Sequence, residues 1–167
     1  MAKKKSKKSP LTSVGVLTAM AAALLAVVAI CMMFVPAATV NDTNMTYTGL
    51  QLTFGYSEDT LLGTVTVLNF SFLNFLPYLL ALAGIAFSVL TALGKLGKIA
   101  PIIATVCYLA AGILFFLVIT MCVPNSGDSK DLADLFRKTL SLGAGAIVAG
   151  VLSILAALCS AVAVIKK

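Results

Sequence analysis

Four stretches of this chain carry no charged residue: 10–41, 60–94, 99–127 and 139–165. Each exceeds the roughly 20 apolar residues that an α-helix needs to cross a hydrocarbon layer of about 30 Å. A water-soluble core does not use runs of that length, because its helices and strands show a polar face to solvent every few residues. Composition agrees: only 11% of residues are charged, against about a quarter in soluble domains. The windows predict an all-α membrane protein with four spans, at about 14–35, 73–93, 99–123 and 140–165, forming one transmembrane domain over 14–165.

The charges between the windows are sorted by sign. Lys3, Lys4, Lys5, Lys7 and Lys8 lie in a basic tail, 1–13. Lys95 and Lys98 sit in the tight connection GKLGK between the second and third spans, and Lys166 and Lys167 form the segment 166–167 after the fourth. All six acidic residues, Asp42, Glu58, Asp59, Asp128, Asp131 and Asp134, fall in the two other connections. Short loops rich in Lys stay on the cytoplasmic side. The expected topology therefore has both termini cytoplasmic, in the plasma membrane, and two external loops. The first apolar run is longer than the 7–15 residues of a cleavable signal core, so it is expected to remain as an anchor. The basic tail lacks the aromatic and arginine partners of a nucleic-acid surface. The expected partners are the lipid bilayer and a second copy or another membrane protein, with no nucleic acid.

Lipid tails are as apolar as leucine, so membrane helices associate through close packing of small residues. Each span has such a seam at steps of three and four: Gly15, Ala19, Ala22, Ala26 and Ala29; Ala81, Gly84, Ser88 and Thr91; Ala100, Ala104, Cys107 and Ala111; Ala146, Gly150, Ser153, Ala157 and Ser160. A mean step of 3.5 residues keeps one face toward a partner and implies a left-handed four-helix bundle.

The first external loop, 39–70, alternates. Leu50, Leu52, Phe54 and Tyr56 fall on one side of an extended chain, with Gln51, Thr53 and Gly55 on the other, and Val65 and Val67 alternate with Thr64 and Thr66. Period two marks a half-buried strand, so a small extracellular β-hairpin or sheet is expected, with Ser57, Glu58 and Asp59 in its turn. A two-stranded sheet is marginal alone in water, so it must rest on the helix ends as a lid. In the second external segment, 124–139, Leu132, Leu135 and Phe136, with Leu140 just beyond, make one apolar stripe ringed by charge, which predicts an amphipathic extension of the fourth helix with Asp128 as its N-cap. Leu50, Leu52, Phe54, Tyr56, Leu132, Leu135 and Phe136 are the candidate interaction residues.

Reactive groups are scarce. The chain has no His and no charge within a predicted span, whereas proton-coupled carriers place such groups inside the membrane. No nucleotide-binding, metalloprotease or nucleophile-elbow motif is present. Cys31, Cys107, Cys122 and Cys159 match no metal or redox spacing. The expectation is no catalytic residue, no metal and no cofactor. Cys31 and Cys122 fall near the same ends of their spans, which leaves a disulfide between them open. The features together imply a non-enzymatic tetraspan acting by contact, as a scaffold, accessory or self-associating protein. The alternative is a channel or transporter for neutral or lipid-like solutes, lined by Ser88, Thr91, Thr105, Thr120, Ser153 and Ser160.

Four spans, cytoplasmic ends, a β-bearing first loop and a short second one resemble the claudin-like tetraspan layout. The pair Gly49-Leu50, following an aromatic residue, is similar to the claudin glycine-leucine-tryptophan signature. This chain has no tryptophan and no cysteine in that loop, where Thr53 and Phe54 stand. The strings TGLQ and FSFLNFLPYLL also resemble small four-pass bacterial membrane proteins of unknown function. Both resemblances imply a fold and an adhesive or structural class of role.

Overall fold

The computed structural model describes residues 14–41, 43, 45–61, 63–94, 96–125 and 130–166. The basic tail, Asp42, Lys95, the expected cap Asp128 and Lys167 lie outside the described residues.

Four long helices form the body: α1 (Val14–Cys31), α3 (Phe72–Ala92), α4 (Ile99–Phe116) and α6 (Ala144–Lys166). They are long and apolar enough to cross a membrane, as an integral membrane protein requires. The two shortest, α1 and α4 at 18 residues each, rise about 27 Å. They pack in a ring, α1 against α3 and α6, and α4 against the same two. The small-residue seams face inward. All five seam residues of α1 are buried, as are all four of α3 and all five of α6. In α4, Ala100, Ala104 and Ala111 are buried, but Cys107 is only half-buried and Tyr108 takes the inward position. Its ring leaves no room for a side chain on Gly84, which is why the α3 seam carries glycine there. The Tyr108 hydroxyl hydrogen-bonds Ser88 at 3.0 Å. One layer nearer the other end, Tyr78 and Phe115 stack edge to face at 5.1 Å.

A cap of short elements closes one end. A 3-10 turn, Met32–Phe34, leads from α1 into β1 (Pro36–Val40); then come β2 (Thr46–Thr48), the short helix α2 (Gly49–Phe54), β3 (Tyr56–Thr60) and β4 (Gly63–Asn69). After α4 follow β5 (Val123–Pro124), α5 (Lys130–Thr139) and β6 (Leu140–Leu142). Two antiparallel three-stranded sheets result, ordered β2-β1-β6 and β3-β4-β5. Each joins strands from the first connection to one from the last. Ala37, Ala38, Tyr47, Leu52, Leu68, Cys122 and Leu140 form the cap core, and Val118 and Ala146 tie it to the helices.

Several sequence-based expectations are corrected here. The segment from Leu50 to Phe54 is helical, so Leu50, Leu52, Phe54 and Tyr56 do not share a strand face. Thr48 and Gln51 explain it. The Thr48 hydroxyl accepts from the Gln51 backbone N–H at 3.3 Å, and the Gln51 side chain accepts from the Thr48 N–H at 2.9 Å. This reciprocal capping box starts a helix whose side-chain period overrides the apparent alternation. The hairpin is β3–β4, with Ser57, Glu58 and Asp59 inside its first strand rather than in its turn. The β loop begins at Pro36 rather than 39. The third helix stops at Phe116, short of 123. The fourth begins at Ala144, because Leu140–Leu142 pairs with β1. Accordingly α5 is a separate helix, not an extension of α6.

Candidate functional site: the cap

The cap is anchored to the helices by polar contacts at points where backbone groups lack regular partners. Ser71 caps α3, accepting from the Asn74 N–H at 3.3 Å, and its own hydroxyl donates to the Met121 carbonyl at 2.6 Å. The Asn74 amide donates to the Leu52 carbonyl at 3.1 Å, which fixes α2 on top of α3. Thr53, fully buried, donates to the Gly49 carbonyl at 2.8 Å. Gly55 leaves α2 with φ of 94° and lies so close to the Leu68 carbonyl that a Cβ would sit 2.7 Å from it. Only glycine satisfies both demands.

The second connection is held as firmly. Arg137 donates from Nε and Nη2 to the Cys122 carbonyl at 3.2 and 3.0 Å, while Nη1 pairs with Asp134 at 3.0 Å. Asn125 donates to the Thr66 carbonyl at 2.9 Å and receives the Asn69 amide at 3.4 Å. Thr39 and Ser141 share a hydrogen bond of 2.7 Å across β1 and β6. Tyr47 stands at the centre, 5.9 Å from Tyr56 and 6.4 Å from Phe136 between ring centres. Burial, with Glu58 and Tyr56 nearby, pushes the Tyr47 phenol above its ordinary value. Burial also pushes the Cys122 thiol up, against the partial opposition of Arg137. Cys31 and Cys122 are both free, the first exposed and the second buried in the cap.

The candidate residues divide into four groups. Leu52 is core, 1% exposed. Leu50 and Phe54 are exposed beside the start of α3, where Phe54 stacks on Phe70 and Phe75 at 6.1 and 5.7 Å. Phe34 and Phe72, also exposed, lie like them at the junction of cap and helices, and together they leave an apolar fringe there. Leu132, Leu135 and Phe136, from α5, come together with Val65, Val67 and Pro124 around an apolar groove of about 450 Å³. Tyr56 packs edge-on against Tyr47 and is not part of the groove lining. Sequence reasoning missed Val65 and Pro124 as apolar neighbours of α5; no local signal reports a pairing between β4 and β5 across more than fifty residues. It also missed that the β3–β4 hairpin stands clear of the body. Its tip residue Leu61 is fully exposed, and β3 is a sheet edge whose residues from Ser57 to Thr60 all face solvent.

Among the described residues, no three His, Cys, Asp or Glu side chains approach closely enough to hold a metal. The arrangement offers surfaces: an apolar groove, a projecting hairpin and an acidic strand edge at Glu58 and Asp59. Comparison with known protein families, curated proteins and solved structures finds no match for this chain.

Proposed function

We propose that this is a non-enzymatic four-pass protein of the plasma membrane, with both termini cytoplasmic, whose external cap works by contact with another membrane protein or a second copy. The four helices are read as a left-handed bundle, and the layout as claudin-like in kind. The observation that carries the reading is the groove between α5 and the β4–β5 edge. Val65, Leu132 and Leu135, which line it, are each more than a third exposed. Grouped apolar exposure of this sort marks an interaction surface. The acidic edge at Glu58 and Asp59 speaks against pairing β3 with its own copy, since like charges would meet across the new ladder. Contact through the groove is therefore favoured over strand exchange.

The channel alternative has less support. Tyr108 and Phe115 fill the interior of the ring. Of the six hydroxyls that would line a path, five are engaged: Thr91, Thr105 and Thr120 with carbonyls of their own segments, Ser160 with the Pro101 carbonyl, and Ser88 with Tyr108.

Chemical crosslinking in native membranes, followed by native mass spectrometry in detergent, tests the reading. Association is expected for the wild-type protein and loss of it for Leu132→Asp with Leu135→Asp, at unchanged melting temperature. A monomer that captures no partner, or a double variant that associates normally, refutes it.

A further inference from the structure

Helix α5 leaves part of its apolar stripe uncovered. Phe136 is half-buried against the cap, its ring centre 6.4 Å from that of Tyr47. Leu132 and Leu135 are 54% and 60% exposed. They stand three residues apart on one face, the spacing that meets a neighbour in a two-helix contact. Asp131 and Lys138 are exposed as well. Seven residues separate them, so they lie nearly in line on one flank of the stripe, about 10.5 Å apart along the axis. Arg137 and Asp134 pair with each other. Among the described residues, neither Asp131 nor Lys138 has an ion-pair partner.

These charges say what fits against the stripe. A two-fold axis that lays α5 antiparallel to its own copy sets Leu132 on the partner's Leu135, and Leu135 on the partner's Leu132. The same axis sets Asp131 opposite the partner's Lys138, and Lys138 opposite the partner's Asp131. A contact between identical surfaces needs this self-complementarity, with residue i meeting j and j meeting i. Charges that flank an apolar seam fix the orientation of a helix pair. A parallel pair would bring Asp131 to the level of the partner's Asp131, and Lys138 to that of the partner's Lys138, and like charges would meet twice. A lipid surface fits less well, because interfacial helices ring their apolar face with Lys and Arg, whereas this flank begins with a carboxylate. The groove beside the stripe, about 450 Å³, is too small for a helix about 10–12 Å across but receives its side chains as knobs.

We propose that the cap docks against a second copy of this chain, through an antiparallel contact between two α5 helices with an Asp131–Lys138 pair on each side of the axis. This rests on the reading of the cap as a contact surface and names the occupant of that surface.

The test uses the full-length chain with Cys31, Cys107, Cys122 and Cys159 replaced by Ala, as two differently tagged copies oxidised mildly in native membranes. Asp131→Cys in one copy and Lys138→Cys in the other are expected to join by a disulfide. Either substitution in both copies is expected to join several-fold less, because its two thiols then stand about 10 Å apart along the axis, beyond the Cα reach of about 7 Å for a disulfide. In native mass spectrometry of the chain with its cysteines intact, Asp131→Lys or Lys138→Asp is expected to weaken the dimer roughly tenfold. The exchange of both charges, Asp131→Lys with Lys138→Asp, is expected to restore it, and salt of about 1 M to erase the difference between single variants and wild type. Self-linking of either cysteine variant as strong as the mixed pair, an unchanged dimer in the charge-reversed variants, or no restoration by the exchange would each overturn the proposal. No dimer, with capture of a different protein that Leu132→Asp with Leu135→Asp abolishes, would overturn it and leave the contact reading standing. No dimer and no capture, with a dye at Leu135→Cys quenched by spin-labelled lipid, would assign the stripe to the membrane surface and overturn both.

Discussion

Leu50 and Leu52 distinguish the capped helix from the strand that the same residues suggest. On a strand they point the same way and matter alike. In the structure Leu52 is 1% exposed, in the cap core with Leu68 and Cys122, whereas Leu50 is 38% exposed. Truncating a fully buried leucine removes its transfer energy and leaves a cavity, at a cost of about 2.7–5 kcal/mol. Leu50→Ala removes side-chain carbons that are already partly wet and leaves no closed cavity, for roughly 1 kcal/mol. Thr48→Ala breaks the capping box and costs about 1 kcal/mol. These are values for water, and they apply because the cap lies beyond the spanning helices. The assay is unfolding in mild detergent, in a background with Cys31, Cys107 and Cys159 replaced by Ala, followed by thiol-dye reactivity at the buried Cys122, which then reports on the cap rather than on the helices. The expected order is Leu52→Ala far below Leu50→Ala and Thr48→Ala. Equal losses for the two leucines, with Thr48→Ala silent, would refute the helical assignment and the cap core built on it.

Three further outcomes follow from the same geometry. Arg137→Ala strips the buried Cys122 carbonyl of two donors; a cost of about 1–3 kcal/mol and faster hydrogen exchange in α5, with α3 unchanged, are expected. Tyr47 has its phenol pKa raised by burial, with Glu58 and Tyr56 adding to it, so its contribution to stability is whole below the ordinary tyrosine value of 10.0 and is lost as pH rises through the folded-state value. Melting curves between pH 9 and 11, on the order of the tyrosine range, should fall less steeply for Tyr47→Phe than for the wild type. Gly84→Ala sets a methyl against the Tyr108 ring; overpacking of about 1–3 kcal/mol is expected by reversible unfolding in detergent, relieved by Tyr108→Leu in the same chain.

The helical body was legible in the sequence and the cap was only partly so, for physical reasons. Hydropathy reports where a chain can leave water, and a seam of small residues reports which face meets a neighbour; both are local properties. Ala22, Gly84, Ala104 and Ser153 therefore landed where their spacing puts them. Cys107 did not, because Tyr108, one residue on, is large enough to fill the ring and takes the inward position. The cap depends on pairings that no local pattern contains. Leu140–Leu142 reads as the start of a span because a short uncharged Leu-Ser-Leu before a long apolar run looks the same in a strand or a helix; its partner β1 lies about a hundred residues earlier. GLQLTF alternates by accident of composition. The signal that mattered was Thr48 with Gln51 three residues on, followed by Gly55, which together start and stop a short helix. The apolar stripe of α5 was readable from Leu132, Leu135 and Phe136, but the opposite wall of the groove, Val65, Val67 and Pro124, was not.

The account stands on an even number of crossings that sets the cap and the lysine-rich end on opposite sides of one membrane. Single cysteines answer this directly. In a background with Cys31, Cys107, Cys122 and Cys159 replaced by Ala, Leu61→Cys at the hairpin tip and Lys167→Cys at the chain end are treated with a membrane-impermeant maleimide on intact cells. Leu61→Cys should label at once, and Lys167→Cys only after the membrane is opened. Labelling of both from the same side, or of Lys167→Cys alone in intact cells, would contradict the account.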